Sequence, residues 1–89
     1  MRTLYLYTTL GCHLCDQAKM VCWPVLEPLE CRLEEVEIAD DDALLQRYGV
    51  RIPVVRLAGS MQDLGWPFDG SQLNHYLRQT LRQRPSSEE

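Results

Sequence analysis

The stretch Thr-Thr-Leu-Gly-Cys-His-Leu-Cys-Asp, residues 8–16, joins two different hydrophobic patterns. Before it, residues 3–7 are rich in β-branched and aromatic side chains, which is typical of a buried strand. After it, the apolar residues change to helical spacing, and those on one face are Leu14, Ala18, Val21, Cys22 and Val25. The sequence therefore predicts a strand followed by a helix, with Cys12 at or just before the first turn of that helix.

Cys12 and Cys15 form a C-x-x-C pair at this turn. The first N–H groups of a helix lack intrahelical partners and carry about half a positive charge, so they stabilise a thiolate at Cys12. The helix dipole contributes roughly one pKa unit of this effect. One helical turn brings Cys15 beside Cys12, where its thiol can attack a mixed disulfide. The alternative is that both cysteines are small buried hydrophobic residues.

The composition fits one small domain, since the chain has 89 residues, 45% of them hydrophobic and 25% charged. We expect that domain over residues 1–84 and a disordered tail over residues 85–89, which have no apolar anchor. The net charge of −4 argues against nucleic-acid binding. No apolar run approaches ~18 residues, and the chain leads straight into a strand. We therefore expect no membrane association, no signal peptide and a cytoplasmic location.

The two remaining cysteines do not suit a zinc site. Zinc takes four ligands, usually in two closely spaced pairs, whereas Cys22 and Cys31 fall on different predicted elements. In a reducing compartment, cysteines are more often redox-active, metal-binding or free than bridged. We expect Cys22 in the core of the first helix, Cys31 at the start of the next strand, no metal site and no tightly bound cofactor.

The pattern after the first cysteine pair continues with a proline-containing helix and a charged strand. Pro24 and Pro28 predict that the first helix kinks, ends or restarts there. Residues 32–38 alternate between apolar and charged, with one break between Leu33 and Val36. This pattern predicts a second strand, half exposed and near a sheet edge.

The middle of the chain predicts a short helix and a hairpin. Residues 40–49 begin with three aspartates and end with a glycine. We expect one aspartate to cap a short helix that the glycine ends, and we prefer this interpretation to an acidic metal site. Residues 50–57 predict a strand that Pro53 begins or confines to an edge. A turn follows at residues 58–60, and residues 61–64 are the returning arm.

The last helix begins with a capping box. Asp69 is the expected N-cap and Gln72 its partner at the third helical position, while Phe68 and Leu73 form a hydrophobic staple. The predicted core stripe of this helix contains Leu73, Tyr76, Leu77 and Leu81. The chain is therefore of the α/β class, in the order β-α-β-α-β-β-α.

Three stretches carry a family resemblance: GCHLCD at 11–16, RYGVRIPV at 47–54 and WPFD at 66–69. With them, nearly the whole chain resembles the small glutaredoxin-like proteins of the thioredoxin superfamily. The resemblance implies a thioredoxin-like mixed four-stranded sheet with three main helices. It also implies a cis bond between Ile52 and Pro53 that faces the cysteines, with the Ile52 backbone pairing with a bound thiol substrate.

The chain departs from glutaredoxins at the places that usually hold glutathione. Glutaredoxins commonly have Pro-Tyr between the cysteines, where this chain has His13-Leu14. They also usually carry a cation just before the cysteines, where this chain has Thr-Thr-Leu-Gly at residues 8–11. Before the last helix they have a Gly-Gly turn, where this chain has Phe-Asp-Gly-Ser at residues 68–71. Thioredoxins have a Trp before the first cysteine and a buried acid upstream, where this chain has Gly11 and Leu6. The chain therefore does not resemble a true thioredoxin. Glutathione is a candidate co-substrate, as the resemblance to glutaredoxins implies.

The resemblance implies a thiol-disulfide oxidoreductase with Cys12 as nucleophile and Cys15 as resolving thiol. His13 is either a cation that lowers the pKa of Cys12 or an exposed residue with little effect. The candidate substrate contacts are His13, Ile52, Pro53, Trp66, Asp69, Gly70 and Ser71, the last two through N–H groups able to bind a carboxylate. We expect a monomer whose partner is a disulfide-containing protein or glutathione. An iron–sulfur or metal carrier and a redox-sensing binding module are the alternatives.

Overall fold

The computed structural model describes residues 2–82 and has the expected order of elements. Their bounds are β1 (Arg2–Thr8), α1 (His13–Leu29), β2 (Cys31–Glu37), α2 (Asp42–Tyr48), β3 (Val54–Leu57), β4 (Leu64–Gly65) and α3 (Gly70–Arg82). The expected tail over 85–89 and the domain boundary at 84 lie outside the described residues. None of the helices in the described part is long and apolar enough to cross a membrane.

The four strands form one mixed sheet in the order β2-β1-β3-β4, which confirms the expected sheet. β1 and β2 are parallel, whereas β3 is antiparallel to both β1 and β4. At one end of the strands, Thr8 pairs with Glu37 and Tyr7 pairs with Val54. The loop after β1, the loop after β2 and the loop before β3 therefore meet at the same end of the molecule.

Each face of the sheet covers its own hydrophobic cluster, because alternate residues of a strand point to opposite sides. The first cluster joins Leu4 and Leu6 of β1 to the buried residues of α1, β3 and α3. The second cluster lies on the other face and contains Tyr7, Ile38, Tyr48 and Val54. The first cluster is the larger, and it holds the two long helices against the sheet.

The break in the alternation of β2 reflects a change of packing partner. Leu33 packs against the first cluster, whereas Val36 packs against the second. Glu35 therefore points to the side of α1, where its two carboxylate oxygens accept hydrogen bonds from Lys19 Nζ at 3.4 Å. The strand β2 remains regular. At position 35, where the alternation would place an apolar residue, the pair of Glu35 with Lys19 takes its place.

Helix α1 continues through both of its prolines, so the expected end or restart is wrong, whereas the expected kink stays a prediction. Pro24 and Pro28 are exposed, while Ala18, Cys22 and Leu26 are buried on the other side of the helix. The carbonyls that lose a hydrogen-bond partner thus lie on the solvent side, where water can replace it. The last helical residue is Leu29, and Glu30 caps the helix with φ 56°.

The caps of the shorter elements follow the sequence. Asp41 is the N-cap of α2, and its Oδ1 accepts from the N–H groups of Ala43 at 2.9 Å and Leu44 at 3.2 Å. Asp69 and Gln72 form the predicted capping box, with reciprocal bonds of 2.9 Å and 2.8 Å. These bonds satisfy N–H groups that a helix start otherwise leaves unpaired.

Candidate redox-active site

Cys12 lies at the N-cap of α1, after β1 and the three residues 9–11. Gly11 has φ +79°, a left-handed conformation that glycine adopts without strain and that turns the chain into the helix. The backbone of Cys12 is extended, and its Sγ accepts the Cys15 N–H at 3.1 Å. The sulfur therefore occupies the position in which a serine or aspartate oxygen normally caps a helix.

Cys12 and Cys15 are joined by a disulfide bond, with their Cα atoms 5.2 Å apart. Cys15 is only 2% exposed and faces the core, whereas Cys12 is half-buried at the tip of the helix. Solvent therefore reaches Cys12 more readily than Cys15. His13 is exposed beside it, in the first turn of the helix.

Two cis proline segments lie together at the same end of the sheet. The Ile52–Pro53 bond is cis, as the resemblance implies, and the Trp66–Pro67 bond is also cis. The Trp66 N–H donates to the Pro53 carbonyl at 3.0 Å, which joins the two segments. The second cis bond was not predicted, and the sequence carries no signal for it beyond the small cis fraction of all X–Pro bonds.

The backbone of Ile52 is partly engaged within the chain. Its N–H donates to the Tyr48 carbonyl at 3.1 Å, so the expected pairing with a substrate would use the Ile52 carbonyl. Pro53 is buried beneath this position, and its carbonyl accepts from Trp66. That substrate pairing stays a prediction.

Trp66 and Asp69 have packing and capping contacts of their own. Trp66 is half-buried against the first cluster, with its ring edge-to-face on Phe68 at 5.1 Å. Asp69 uses its Oδ1 to cap α3, so that oxygen is already engaged with the N–H of Gln72. Both contacts are intramolecular, and substrate binding by either residue stays a prediction.

Gly70 and Ser71 lie beside the second half of α1. They line a groove of about 390 Å³ that also includes Pro24, Val25 and Pro28. A Cβ on Gly70 would lie 3.5 Å from Val25 Cγ2, and Val25 is about 20 Å along the helix axis from Cys12. Only an extended substrate could contact both Cys12 and this groove.

A contact that the sequence did not predict fixes the loop before Pro53. Arg51 Nη2 binds Asp63 Oδ1 at 2.8 Å, and its guanidinium lies 5.8 Å from the centre of the Tyr48 ring. A Cβ on Gly65 would lie 3.6 Å from the same Arg51 nitrogen, at an ordinary van der Waals distance. Arg51 and Asp63 are 12 residues apart, and no local pattern links them.

The other two cysteines belong to the core or its border. Burial raises the pKa of the Cys22 thiol to about 12, and burial also raises the pKa of Cys31 at the start of β2. Within residues 2–82, no three or more His, Cys, Asp or Glu side chains are grouped in a way that could hold a metal ion. Cys12 and Cys15 are the disulfide-bonded pair, and the buried Cys22 packs as a small hydrophobic residue.

A mixed sheet between helices, with a cysteine pair at the start of the first helix and a cis proline at the same end, defines a thioredoxin-fold protein of redox type. The model of the family described as "Glutaredoxin-like domain (DUF836)" matches residues 3–78. The chain belongs to this glutaredoxin-like family.

Solved structures agree with this assignment. The target protein XcR50 from X. campestris, solved by X-ray crystallography, is 38% identical with a TM-score of 0.75, over 85% of this chain and 96% of that one. Protein Ne2328 from Nitrosomonas europaea is 24% identical with a TM-score of 0.74, over 84% and 89%. Thioredoxin 1 from Thermosipho africanus TCF52B shares the fold, with 11% identity and a TM-score of 0.66 over 90% and 94%. No curated protein matches the sequence significantly.

Proposed function

We propose that this protein is a thiol-disulfide oxidoreductase in which Cys12 is the nucleophile and Cys15 is the resolving thiol. One observation carries the proposal: Cys12 Sγ caps α1 and accepts the Cys15 N–H at 3.1 Å. A hydrogen bond to a charged acceptor is stronger than one to a neutral acceptor, so this N–H favours the thiolate over the thiol. The helix dipole acts in the same direction.

The reaction proceeds in two exchanges. The Cys12 thiolate attacks one sulfur of a substrate disulfide, which forms a mixed disulfide and releases the first substrate thiolate to take up a proton. Cys15, deprotonated, then attacks the Cys12 sulfur and releases the second substrate thiolate, which is also protonated. The substrate gains two electrons and two protons, and the cysteine pair is oxidised to the disulfide seen in the structure.

The difference in burial between the two cysteines supports the proposed roles. Attack on an external disulfide requires an accessible sulfur, and Cys12 lies at the tip of the helix. Cys15 is 2% exposed, so it reaches Cys12 but not a bulky substrate. A thiol reductant such as glutathione, or a dithiol protein, would return the pair to the reduced form in the cytoplasm.

Single cysteine variants test this assignment. We expect Cys12→Ser to abolish the reduction of insulin disulfides, and Cys15→Ser to accumulate a mixed disulfide that intact-mass measurement detects. Cys31→Ser is the matched control, because Cys31 is a half-buried free thiol on another element and its removal should leave turnover unchanged. Unchanged disulfide reduction in Cys12→Ser would contradict the proposal.

A second experiment measures the chemistry of the pair directly. The pH dependence of Cys12 alkylation should give a pKa below the ~8.5 of free cysteine, and titration against glutathione should give one reversible two-electron couple. The potential then shows whether the protein reduces or oxidises its substrates. An unperturbed thiol without a defined couple would count against an oxidoreductase.

A further inference from the structure

Two loops at the Cys12 end of the molecule each carry an apolar side chain that stands in solvent. Leu10, in the turn between β1 and Cys12, is 93% exposed. Val50, in the loop between α2 and Pro53, is 101% exposed. Of the large hydrophobic side chains in residues 2–82, these two are the most exposed. The fold therefore leaves its least covered apolar side chains in the loops around the cysteine pair.

Leu14 adds a third member to this group, which we call the apolar patch (Leu10, Leu14 and Val50). It lies in the first turn of α1 and is exposed. Leu10 and Leu14 are each two residues from Cys12, which keeps their Cα atoms within about 7 Å of it. None of the three belongs to either hydrophobic cluster. Their apolar area stabilises nothing within the chain, and only a bound molecule would remove it from water.

Acidic side chains border the same end of the molecule. The loop after β2 has aspartate at each of the positions 40, 41 and 42, and all three are exposed. The Ile38 N–H donates to the Thr8 carbonyl at 3.0 Å, which joins the start of this loop to the end of β1. This acidic loop (residues 40–42) therefore lies on the side of the Cys12 turn that faces the β2 edge of the sheet.

Basic side chains are scarce in the segments that meet there. Residues 3–18 contain no lysine or arginine, and residues 33–46 contain none either. His13 is the one basic side chain in these two segments. In the loop before Pro53, Arg51 is bound to Asp63 at 2.8 Å. An anionic substrate at Cys12 would thus meet the acidic loop without an arginine or lysine from either segment.

We propose that the apolar patch and the acidic loop determine the substrate class: Cys12 reacts with polypeptide disulfides flanked by apolar and basic residues, in preference to glutathione disulfide. The proposal rests on the oxidoreductase function and deepens it, and the two thiol-disulfide exchanges are unchanged. Apolar residues of the polypeptide would cover Leu10 and Val50. Its lysines or arginines would face the acidic loop, whereas the carboxylates of glutathione would be repelled.

Three disulfides test this preference in single-turnover reactions with the reduced protein. They are a cyclic peptide with leucine and lysine beside its cysteines, the same peptide with glutamate in place of lysine, and glutathione disulfide. Each rate constant is divided by that of dithiothreitol with the same disulfide, which corrects for intrinsic reactivity. We expect the leucine–lysine peptide to react about tenfold faster than glutathione disulfide, with the glutamate peptide between them.

Truncation of the apolar patch tests its contribution. Leu10→Ala and Val50→Ala should each slow the leucine–lysine peptide about threefold to tenfold and leave glutathione disulfide unchanged. Because both side chains are exposed, we expect neither variant to lose stability. Met61→Ala is the matched control, since Met61 is 87% exposed but follows β3 at the end opposite Cys12. It should change none of the three rates.

Neutralisation of the acidic loop tests the charge. The double variant Asp40→Asn, Asp42→Asn retains Asp41, which caps α2. It should slow the lysine peptide about threefold, speed up the glutamate peptide, and lose both effects at about 1 M salt. The control is Glu27→Gln with Glu34→Gln, which removes two exposed acids from the second half of α1 and the middle of β2. It should preserve the difference between the two peptides.

The outcomes separate the substrate class from the oxidoreductase function. Equal corrected rates for the three disulfides, or a faster reaction of glutathione disulfide, overturn the preference and leave the oxidoreductase intact. Equal slowing by Leu10→Ala and Met61→Ala overturns the role of the patch in the same way. No exchange with any of the three disulfides overturns the oxidoreductase, and the substrate class with it.

Discussion

The two faces of the sheet are built from different chemistry. The face toward α1 and α3 is covered by aliphatic side chains such as Leu6 and Leu77, both fully buried. The face toward α2 is covered by Tyr7 and Tyr48, whose rings stack with their centres 4.2 Å apart. Arginines surround this aromatic pair, and Arg56 Nε donates to the Tyr7 hydroxyl at 3.0 Å.

The difference follows from the length of the covering helices. α1 and α3 have 17 and 13 residues and present long apolar faces, whereas α2 has only 7. A short helix covers little area, so the second face needs large rings and arginine side chains, whose apolar stems lie along the surface. The same face carries the loop before Pro53. We therefore expect the aliphatic face to supply most of the stability, whereas the aromatic face also packs against Ile52 in the loop before Pro53.

The largest expected effect is on the aliphatic face. Leu6→Ala should lower the free energy of unfolding by about 2–5 kcal/mol, because it leaves a cavity in a fully buried cluster. Urea unfolding measures the change. Leu45→Ala, at a residue 41% exposed on α2, is the control and should cost less than about 0.5 kcal/mol. Equal losses would contradict the assignment of the main core to this face.

A smaller effect is expected on the aromatic face. Tyr48→Leu should cost about 1–3 kcal/mol, since it removes the stack on Tyr7 and the contacts of Arg47 and Arg51 with the ring. Tyr48→Phe retains the ring and should cost less than Tyr48→Leu in the same urea measurement. If the phenylalanine variant were as unstable as the leucine variant, the ring stack would not be the source of the stability.

Alkaline pH should weaken the aliphatic face through Cys22. Burial raises the pKa of this thiol from 9.0 to about 12 in the folded protein. The contribution of the protonated Cys22 thiol to the free energy of unfolding is therefore complete below pH 9. It is lost as the pH rises toward 12, because the unfolded chain releases the proton at a lower pH than the folded protein does. At pH 10 the loss should be about 1 kcal/mol. Unfolding of the oxidised protein at pH 8 and pH 10 measures it.

Cys22→Ala provides the comparison for this pH effect. The variant lacks the thiol, so its stability should fall less than that of the wild type between the two pH values. Burial also raises the pKa of Tyr48, which adds a similar alkaline loss to both proteins at higher pH. Identical pH profiles for variant and wild type would exclude Cys22 as a source of the effect.

The smallest expected effect concerns the ion pair on the aromatic face. The coupling energy of Arg51 and Asp63 in a double-mutant cycle with Arg51→Gln and Asp63→Asn should be about 0.2–1 kcal/mol, since the arginine side chain is 44% exposed. The same cycle on the rate of disulfide reduction tests whether the pair also positions the loop before Pro53. A coupling of zero in both measurements would show that the pair supports neither.

The sequence predicted the elements whose signals are local. The change of period at residues 8–16, the Asp41 cap and the capping box at Asp69 all depend on neighbours within four residues. The prolines of α1 led to the wrong expectation that the helix ends or restarts there. The rule for proline considers only neighbouring residues, whereas packing of the buried side of the helix keeps it continuous through both prolines. The returning arm was expected at residues 61–64, but only Leu64–Gly65 pairs as β4.

The candidate site was predictable at its reactive centre only. Cys12, Cys15 and the cis bond before Pro53 follow from motifs, the last through the family resemblance. The supporting contacts join residues that are distant in the chain, such as Arg51 with Asp63 or Arg56 with Tyr7. Such pairs depend on the register of the strands, which the sequence pattern does not specify.

The outer strands of the sheet bear on how copies of the chain behave at high concentration. An open strand edge can act as a template on which other molecules extend the sheet. β4 offers only two residues for such an extension, and β2 carries Arg32, Glu34, Glu35 and Glu37 along its length. Three of these four charges are negative, so two copies that meet at β2 repel each other. The fold therefore protects itself against edge-to-edge aggregation.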